Sequence, residues 1–223
     1  MIQAVDVTKD PELSAKLITD ATNLDRMHDL DTPGAWEFDF TKQEKYTFSP
    51  GSVVNANAAT FPALTKIGMT LAQLNLGPCA MLAPHWHPRG TNLVIAVSGN
   101  TTTYMVAENG AKPVITTLTP GRMTVFPQAS LHTMQNNGCE NAQLISALDT
   151  ADTGTTNVLN AMFDNIPQEI LAASFGIPDF NVEEMKKGVA GVGTGSVMGS
   201  YECQKRCGIE GGKTNKAKRV VDW

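Results

Sequence analysis

Short apolar runs separated by turn residues fill the middle of the chain, from about residue 53 to residue 150. These runs are rich in Val, Ile, Thr and Leu, and the clearest of them cover 69–77, 92–100, 101–110, 113–121 and 142–150. Strands at this spacing, without helical segments between them, are typical of a β-sandwich or barrel. The pattern therefore predicts a single all-β domain.

Helical periodicity is confined to the two ends of the chain. Residues 11–22 begin with a proline and place apolar residues at helical spacing, which predicts a short helix. Beyond residue 157 the pattern becomes helical again and predicts helices over 158–174 and 181–188. We therefore divide the chain into an N-terminal extension with a short helix (1–34), a β-barrel (35–155), a C-terminal helical segment with a cysteine pair (156–209) and a mobile tail (210–223).

Composition narrows the class of protein and its partners. The chain has 223 residues, of which 42% are hydrophobic and 17% are charged, with a formal net charge of −5. These values exclude a disordered, collagen-like or coiled-coil protein. The acidic balance gives no electrostatic reason to expect nucleic acid as a partner. No apolar run reaches the roughly 18 residues that a membrane span needs, so no membrane partner is predicted.

Three of the four histidines lie in two short segments of the β region. His85 and His87 belong to the segment PHWHPRGTN, and side chains two residues apart on a strand point to the same face. His132 lies at the end of another β-like run. Neutral imidazoles are good ligands for a divalent transition ion, so these three residues are candidate metal ligands and candidate catalytic groups.

The spacing around these histidines resembles a known family. The resembling residues are His85, His87, Asn92 and Gly99 in one segment, and Gly121, Pro127, Ala129, His132 and Asn136 in the other. They are similar to the two cupin motifs of germins, and Phe61–Leu64 resembles the FPAL stretch of the same proteins. Residues 203–209 resemble the tail of fungal spherulin-like proteins. The resemblance covers about residues 35–209 and implies a cupin, a small jelly-roll barrel with a metal site inside and C-terminal helices.

One departure from the germin pattern concerns the metal. The resemblance implies three histidines and one glutamate, usually with manganese, but Asn92 stands at the glutamate position. A neutral amide suits the hard Mn²⁺ ion less well than a carboxylate does. His85, His87 and His132 could still hold Zn²⁺, Cu²⁺ or Ni²⁺, or the site could be without metal. Asn92 is then a candidate catalytic residue that orients a substrate, or only a turn residue.

A second departure concerns the substrate. Germins that oxidise oxalate bind it through two asparagines, and the resemblance places Ala72 and Leu82 at those positions, where neither can hydrogen-bond a carboxylate. Oxalate oxidation is therefore disfavoured. Leu82, Trp86 and Met134 are predicted to line an apolar pocket, although residues of these types are more often core filling. Val125 and Phe126 are predicted to lie in the core.

The four cysteines, Cys79, Cys139, Cys203 and Cys207, allow two disulfides in three pairings, and buried thiols remain the alternative. Spherulin-like proteins are secreted, so the resemblance favours disulfides and secretion. The N-terminus lacks the basic and apolar regions of a signal peptide. A mature secreted chain that begins with a new Met would lack these regions as well.

Three functions remain open at this point. The favoured one is an enzyme whose apolar pocket takes a small natural-product-type substrate for dehydration, isomerisation or cyclisation. The second is a germin-like metal-dependent oxidoreductase, with superoxide dismutation preferred over oxalate oxidation. The third is a secreted storage or ligand-carrying protein without catalysis. A small molecule is the expected partner in the first two, and a homo-oligomer is left open.

Overall fold

A computed structural model describes residues 6–177, 180–191 and 195–209 and contains two antiparallel sheets. The first sheet has the order β1-β2-β9-β4-β7, with β1 at Gly51–Ala56, β2 at Thr70–Leu76, β4 at Asn92–Ser98, β7 at Met123–Phe126 and β9 at Ala142–Leu148. The second has the order β10-β3-β8-β5-β6, with β3 at Ala80–Trp86, β5 at Thr101–Val106, β6 at Val114–Leu118, β8 at Leu131–Asn136 and β10 at Thr156–Asn157. A short strand β11, Val197–Met198, also pairs with β3.

The core lies between the two sheets. Alternate residues of a strand face opposite sides, so one side of each strand can be apolar and turned toward the other sheet. Both sheets contribute to one buried cluster, formed by Ala72, Leu74, Leu76, Ala80, Leu82, Val94, Ala96, Met105, Leu118, Phe126, Met134, Ala142 and Leu144. The predicted all-β jelly-roll barrel is confirmed.

The prediction of two adjacent core residues in β7 is wrong for one of them. Phe126 is 1% exposed and belongs to the core, whereas Val125 is 45% exposed. The reason is the two-residue period of a strand, which turns neighbouring side chains to opposite faces of the sheet. Val125 lies instead on an apolar outer face that also includes Leu93 and Ile95.

The N-terminal segment forms two helices where one was predicted. The first, α1 (Pro11–Thr19), ends earlier than the expected residue 22. The second, α2 (Asn23–Asp29), begins after Thr22, whose side chain accepts a hydrogen bond from the backbone N–H of Asp25. A threonine that caps a new helix cannot also continue the preceding one.

The C-terminal segment contains helices α3 (Val158–Asn165), α4 (Gln168–Phe175), α5 (Val182–Lys186) and α6 (Tyr201–Arg206). The continuous helix predicted over 158–174 is wrong because it breaks at Pro167, which has no backbone N–H to donate. Helix α6 was not predicted. The predicted mobile tail, residues 210–223, lies outside the described residues.

Two disulfides fasten α6 to the barrel. Cys203 is bonded to Cys79, before β3, and Cys207 is bonded to Cys139, in the turn between β8 and β9. This is one of the three pairings that the sequence left open. The C-terminal segment that carries β11 is thereby held against the sheet that contains β3. Among the described residues, no helix is long and apolar enough to cross a membrane.

Removal of the Cys79–Cys203 disulfide by paired serine substitution is expected to lower the free energy of unfolding by about 2–5 kcal/mol. The two residues are 124 positions apart, so the bond removes much conformational freedom from the unfolded chain. Urea unfolding of the variant and of the wild type measures the loss. Ser174→Ala, at an exposed position of α4, serves as the control and should change stability by less than about 0.5 kcal/mol. Equal stability of the paired variant and the wild type would contradict the prediction.

Candidate metal centre

Two neighbouring strands bring the three predicted histidines together. His85, near the end of β3, is the cross-strand partner of His132 in β8, and His87 directly follows β3. The rings of His85 and His132 have their centroids 4.3 Å apart, and the other two pairs are 5.2 and 5.3 Å apart. One ring nitrogen of each residue lies within 4.8 Å of those of the other two. The three side chains, only 6%, 9% and 2% exposed, therefore form a buried triad of imidazoles.

Backbone carbonyl groups determine which nitrogen of two of these rings is left for a ligand. Nδ1 of His85 lies 2.8 Å from the carbonyl oxygen of Ala83, and Nδ1 of His132 lies 2.9 Å from that of Ser130. A carbonyl only accepts hydrogen bonds, so both Nδ1 atoms carry the proton and both Nε2 atoms keep a free lone pair. The third ring, that of His87, has its Nδ1 3.3 Å from Oγ1 of Thr155.

The Nε2 atom of His132 is buried and has no hydrogen-bond partner within the described part of the chain. A buried polar atom without a partner is costly, and such atoms are rare in folded proteins. A metal ion shared with the other two imidazoles would provide the missing partner. The residues present therefore fit a divalent transition ion of the kind that prefers imidazole.

The ring of Phe126 packs face to face against the ring of His132. The two rings stack with centroids 4.2 Å apart and planes 9° apart. Because His132 is also bonded through Nδ1, both the plane and the direction of its imidazole are determined before any ligand binds. Such preorganisation lowers the cost of ordering a site when an ion is taken up.

Burial lowers the pKa of all three imidazoles, because the interior of the barrel disfavours their charged form. The pKa of His87 falls to about 3 and that of His132 to about 2, with a smaller contribution from the charge of His85 in both cases. The pKa of His85 is lowered as well, against the opposing effect of its hydrogen bond to Ala83. The triad is consequently neutral at neutral pH, which is the form that binds metal.

A cavity of about 50 Å³ lies beside the triad. Among the residues that line it are His85 and His87, together with Ala72, Leu82 and Met134. Leu82 and Met134, which were predicted to line a pocket, therefore line this cavity. Trp86 does not line this cavity; it follows His85 on the strand and therefore faces the other side of the sheet, beside Thr156 of β10.

Asn92 also lines the cavity and is 3% exposed. Its Oδ1 accepts a hydrogen bond from the hydroxyl of Ser146 on the neighbouring strand β9. In the part of the chain that the structure describes, its Nδ2 has no acceptor. The amide nitrogen is thus the atom that Asn92 offers to a ligand.

Sequence reasoning missed several polar residues of the cavity wall: Ser146, Thr153, Thr155 and Asn157. Ser146 could have been found, since the alternation along 142–148 places it on the same face as Leu144 and Leu148. The other three follow the last long strand, where no periodicity signals which side chains turn toward the site.

A sequence model of the family described as Cupin matches residues 39–183 of this chain. The chain belongs to the cupin family. Spherulin-1A of Physarum polycephalum is 29% identical over 201 residues, which are 89% of this chain and 80% of that protein. Germin-like protein subfamily 3 member 1 of Arabidopsis thaliana is 32% identical over 143 residues, covering 64% of this chain and 68% of that protein. The resemblance to spherulin-like and germin-like cupins is confirmed.

Solved structures show the same fold. An oxalate oxidase in complex with the substrate analogue glycolate aligns with a TM-score of 0.61 and 21% identity over 72% of this cupin and 86% of its own chain. Oxalate decarboxylase from Bacillus subtilis aligns with a TM-score of 0.62 and 19% identity over 72% of this cupin and 40% of its own chain. At these identities the likeness extends to the barrel and not to the chemistry inside it.

The triad of this cupin could bind a metal ion, and relatives of the same fold include enzymes. Its set of possible metal ligands consists of three neutral nitrogens and no carboxylate, because Asn92 occupies the position where the germin pattern has glutamate. Such a set leaves the full charge of a divalent ion uncompensated and favours ions with a strong preference for nitrogen.

Proposed function

We propose that this cupin is a secreted enzyme that holds a divalent transition ion on His85, His87 and His132. The observation that carries the proposal is the unpartnered, buried Nε2 of His132, within reach of the ring nitrogens of the other two histidines. Zinc, copper or nickel suits three imidazoles better than manganese does. The reaction is non-redox chemistry on a compact organic substrate, such as dehydration, isomerisation or cyclisation.

The dimensions and lining of the cavity support a compact substrate. A cavity of about 50 Å³ has room for a few waters or a ligand of a few non-hydrogen atoms, since about 10–15 Å³ holds one water. Its wall includes the apolar residues Ala72, Leu74 and Leu82, which lie on β2 and β3. Apolar contacts of this kind bind a small carbon skeleton and exclude water from it.

A bound ion would supply Lewis-acid polarisation of a substrate oxygen. The residues of the chain have three further tasks. His85, His87 and His132 provide neutral nitrogen at neutral pH. Asn92 donates from Nδ2 to the substrate and thereby orients it. Leu82 and Met134 surround the reacting part with apolar surface, which strengthens these polar contacts by keeping water away.

Secretion is supported by the two disulfides, because such bonds persist in oxidising compartments and are rare in the reducing cytosol. A germin-like oxidoreductase is the main competing function, and its distinguishing property is a manganese ion. A carrier without catalysis is the other competing function.

Elemental analysis of protein purified without chelators, wild type beside Asn92→Glu, tests the proposal. The wild type should contain zinc, copper or nickel at close to one ion per chain and little manganese, and Asn92→Glu should contain more manganese because a carboxylate compensates its charge. Asn100→Glu makes the same substitution in an exposed turn outside the cavity and should leave the metal content unchanged.

Stoichiometric manganese in the wild type would overturn the proposal and favour the oxidoreductase. The wild type is further expected to show neither oxalate oxidase nor superoxide dismutase activity. Either activity at levels typical of an enzyme would contradict the non-redox assignment.

A further inference from the structure

We infer that Asn92 and Ser146 form a hydrogen-bond donor subsite for an oxygen acceptor in the cavity, the carbonyl or carboxylate oxygen of a compact organic ligand. The inference rests on the proposed metal centre for its location and names the chemical class that binds beside it. Asn92 contacts the ligand, and Ser146 is a positioning residue that orients the amide of Asn92.

The two residues lie on the same inner face of the first sheet. Asn92 pairs with Leu148 and Val94 pairs with Ser146 in the register between β4 and β9, so Asn92 and Ser146 are diagonal neighbours. Both are almost completely buried, with 3% and 2% of their surface exposed. Contact between them is therefore a property of the barrel and not of a mobile loop.

The hydroxyl of Ser146 selects one of the two orientations of the amide. In the observed orientation Ser146 donates to Oδ1 of Asn92. If the amide were turned over, Nδ2 would donate to Ser146, and the hydroxyl proton would have no acceptor among the described residues. A buried donor without an acceptor is unfavourable, so Oδ1 stays at Ser146 and Nδ2 is left for the cavity.

A hydrogen-bond donor in this position binds an acceptor and does not bind a metal ion directly. An amide nitrogen has no available lone pair for a cation, whereas Oδ1, which could bind one, is already engaged by Ser146. Asn92 is therefore not the fourth ligand of the ion in this arrangement.

The remainder of the wall limits which acceptor fits. Ala72, Leu82 and Leu148 are apolar and line the same cavity, and no described residue that lines it is a carboxylate or a lysine or arginine. A dianion would find no cation of the chain to compensate its second charge. The fitting ligand carries an oxygen acceptor or one carboxylate on a short skeleton of about two to four carbons, given the room in the cavity, with apolar contacts to Ala72, Leu82 and Leu148.

Acetate is the probe for the first experiment, which uses protein loaded with Co²⁺ and follows the visible absorption of the ion during titration. Asn92→Leu removes the donor at similar volume and is expected to weaken acetate binding by about tenfold or more while Co²⁺ affinity changes by less than about threefold. Ser146→Ala frees the amide to turn and should weaken acetate binding by about threefold. Asn92→Asp, which keeps the shape but lacks the donor, should also lose acetate binding.

Thr101→Val is the matched control, because Thr101 is a fully buried barrel residue. Its hydroxyl, like Nδ2 of Asn92, has no hydrogen-bond partner in the described chain. It lies on β5 four residues before Met105, which pairs with His132, and so it is remote from the triad. Its acetate affinity should equal that of the wild type. Unchanged acetate affinity in Asn92→Leu would overturn the inference. Loss of Co²⁺ by Asn92→Leu would do so as well, since it would make Asn92 a metal ligand.

A second measurement keeps this inference separate from the metal centre. In metal-free protein labelled with ¹⁵N, acetate is expected to shift the side-chain amide resonances of Asn92, identified by their absence in Asn92→Leu. The shift should be smaller in Ser146→Ala, and a merely structural role of Ser146 would leave it unchanged. If the protein did not bind Co²⁺ but acetate still shifted the Asn92 amide resonances, the proposed metal centre would be refuted and the subsite would be supported. An Asn92 amide that does not respond to acetate would sink the subsite.

Discussion

Replacement of His132 by alanine is expected to lower the affinity of this cupin for Zn²⁺ or Co²⁺ by more than about 100-fold. Loss of a group that only supports a metal ligand already costs about 10–100-fold, and His132 is placed to be a ligand itself. Its Nε2 is the buried atom without a partner, and its ring is held by the stack on Phe126. Competition with a chromophoric chelator measures the affinity.

The control for this experiment is His28→Ala. The side chain of His28 lies on α2 and is 88% exposed, outside the triad. Metal affinity of this variant should match that of the wild type. If His132→Ala retained affinity within about tenfold of the wild type, the triad would not be the main metal site.

The metal-free protein is expected to lose stability steeply as the pH falls below about 6.5, the usual pKa of histidine in an unfolded chain. The triad stays neutral in the fold, because burial lowers the pKa of His87 to about 3 and that of His132 to about 2, and lowers that of His85 too. Unfolding therefore takes up protons below pH 6.5, and the free energy of unfolding falls by about 1.4 kcal/mol per pH unit for each imidazole.

The loss continues until the pH reaches the lowered pKa values, where the folded protein also binds the protons. His87 and His132 together amount to about 3 kcal/mol per pH unit, and the lowered pKa of His85 adds to this loss in the same direction, enough to unfold an ordinary domain within a few units. Urea unfolding at a series of pH values between 7.5 and 5 measures the slope. Saturating Zn²⁺ should delay the loss to lower pH, because the ion binds only the folded, neutral triad.

His132→Gln should reduce the slope by about 1.4 kcal/mol per pH unit. All variants contain the same carboxylates. Comparison of the variants at equal pH therefore separates the contribution of the histidines to the free energy of unfolding from that of the carboxylates. A free energy of unfolding that stays level between pH 6.5 and 5 would show that the triad binds protons in the fold and would contradict the assigned burial effect.

An all-β domain was predictable from local patterns, and the triad was predictable from the resemblance to the two cupin motifs. Strand alternation is a two-residue rule, so His85 and His87 share a face wherever their strand lies. His132, in the second motif, was expected to converge with them because of the resemblance to the cupin motifs, and the structure pairs it with His85. Capping and proline signals were also local, and the break at Pro167 could have been anticipated from its missing N–H.

Other features depend on contacts between distant segments, which no local pattern contains. The sequence allowed three pairings of four cysteines, and the choice depends on how α6 packs against the loops before β3 and β9. The exposure of Val125 depends on which face of β7 meets the opposite sheet. Trp86 was assigned to the pocket from its nearness to His85 in sequence, whereas adjacent strand residues face opposite sides.

The orientation of Asn92 is the clearest case of a property that only the tertiary structure decided. From the sequence it could be a weak metal ligand, a substrate contact or a turn residue. Ser146 lies 54 residues away in the chain and becomes its neighbour only through the pairing of β4 with β9. By itself the sequence determined the all-β class and the shared face of His85 and His87, because the strand period acts over a few residues, and the resemblance to the cupin motifs added His132 to them. The packing of strands remote in sequence decided which atom of Asn92 faces the cavity, because a buried hydroxyl needs an acceptor.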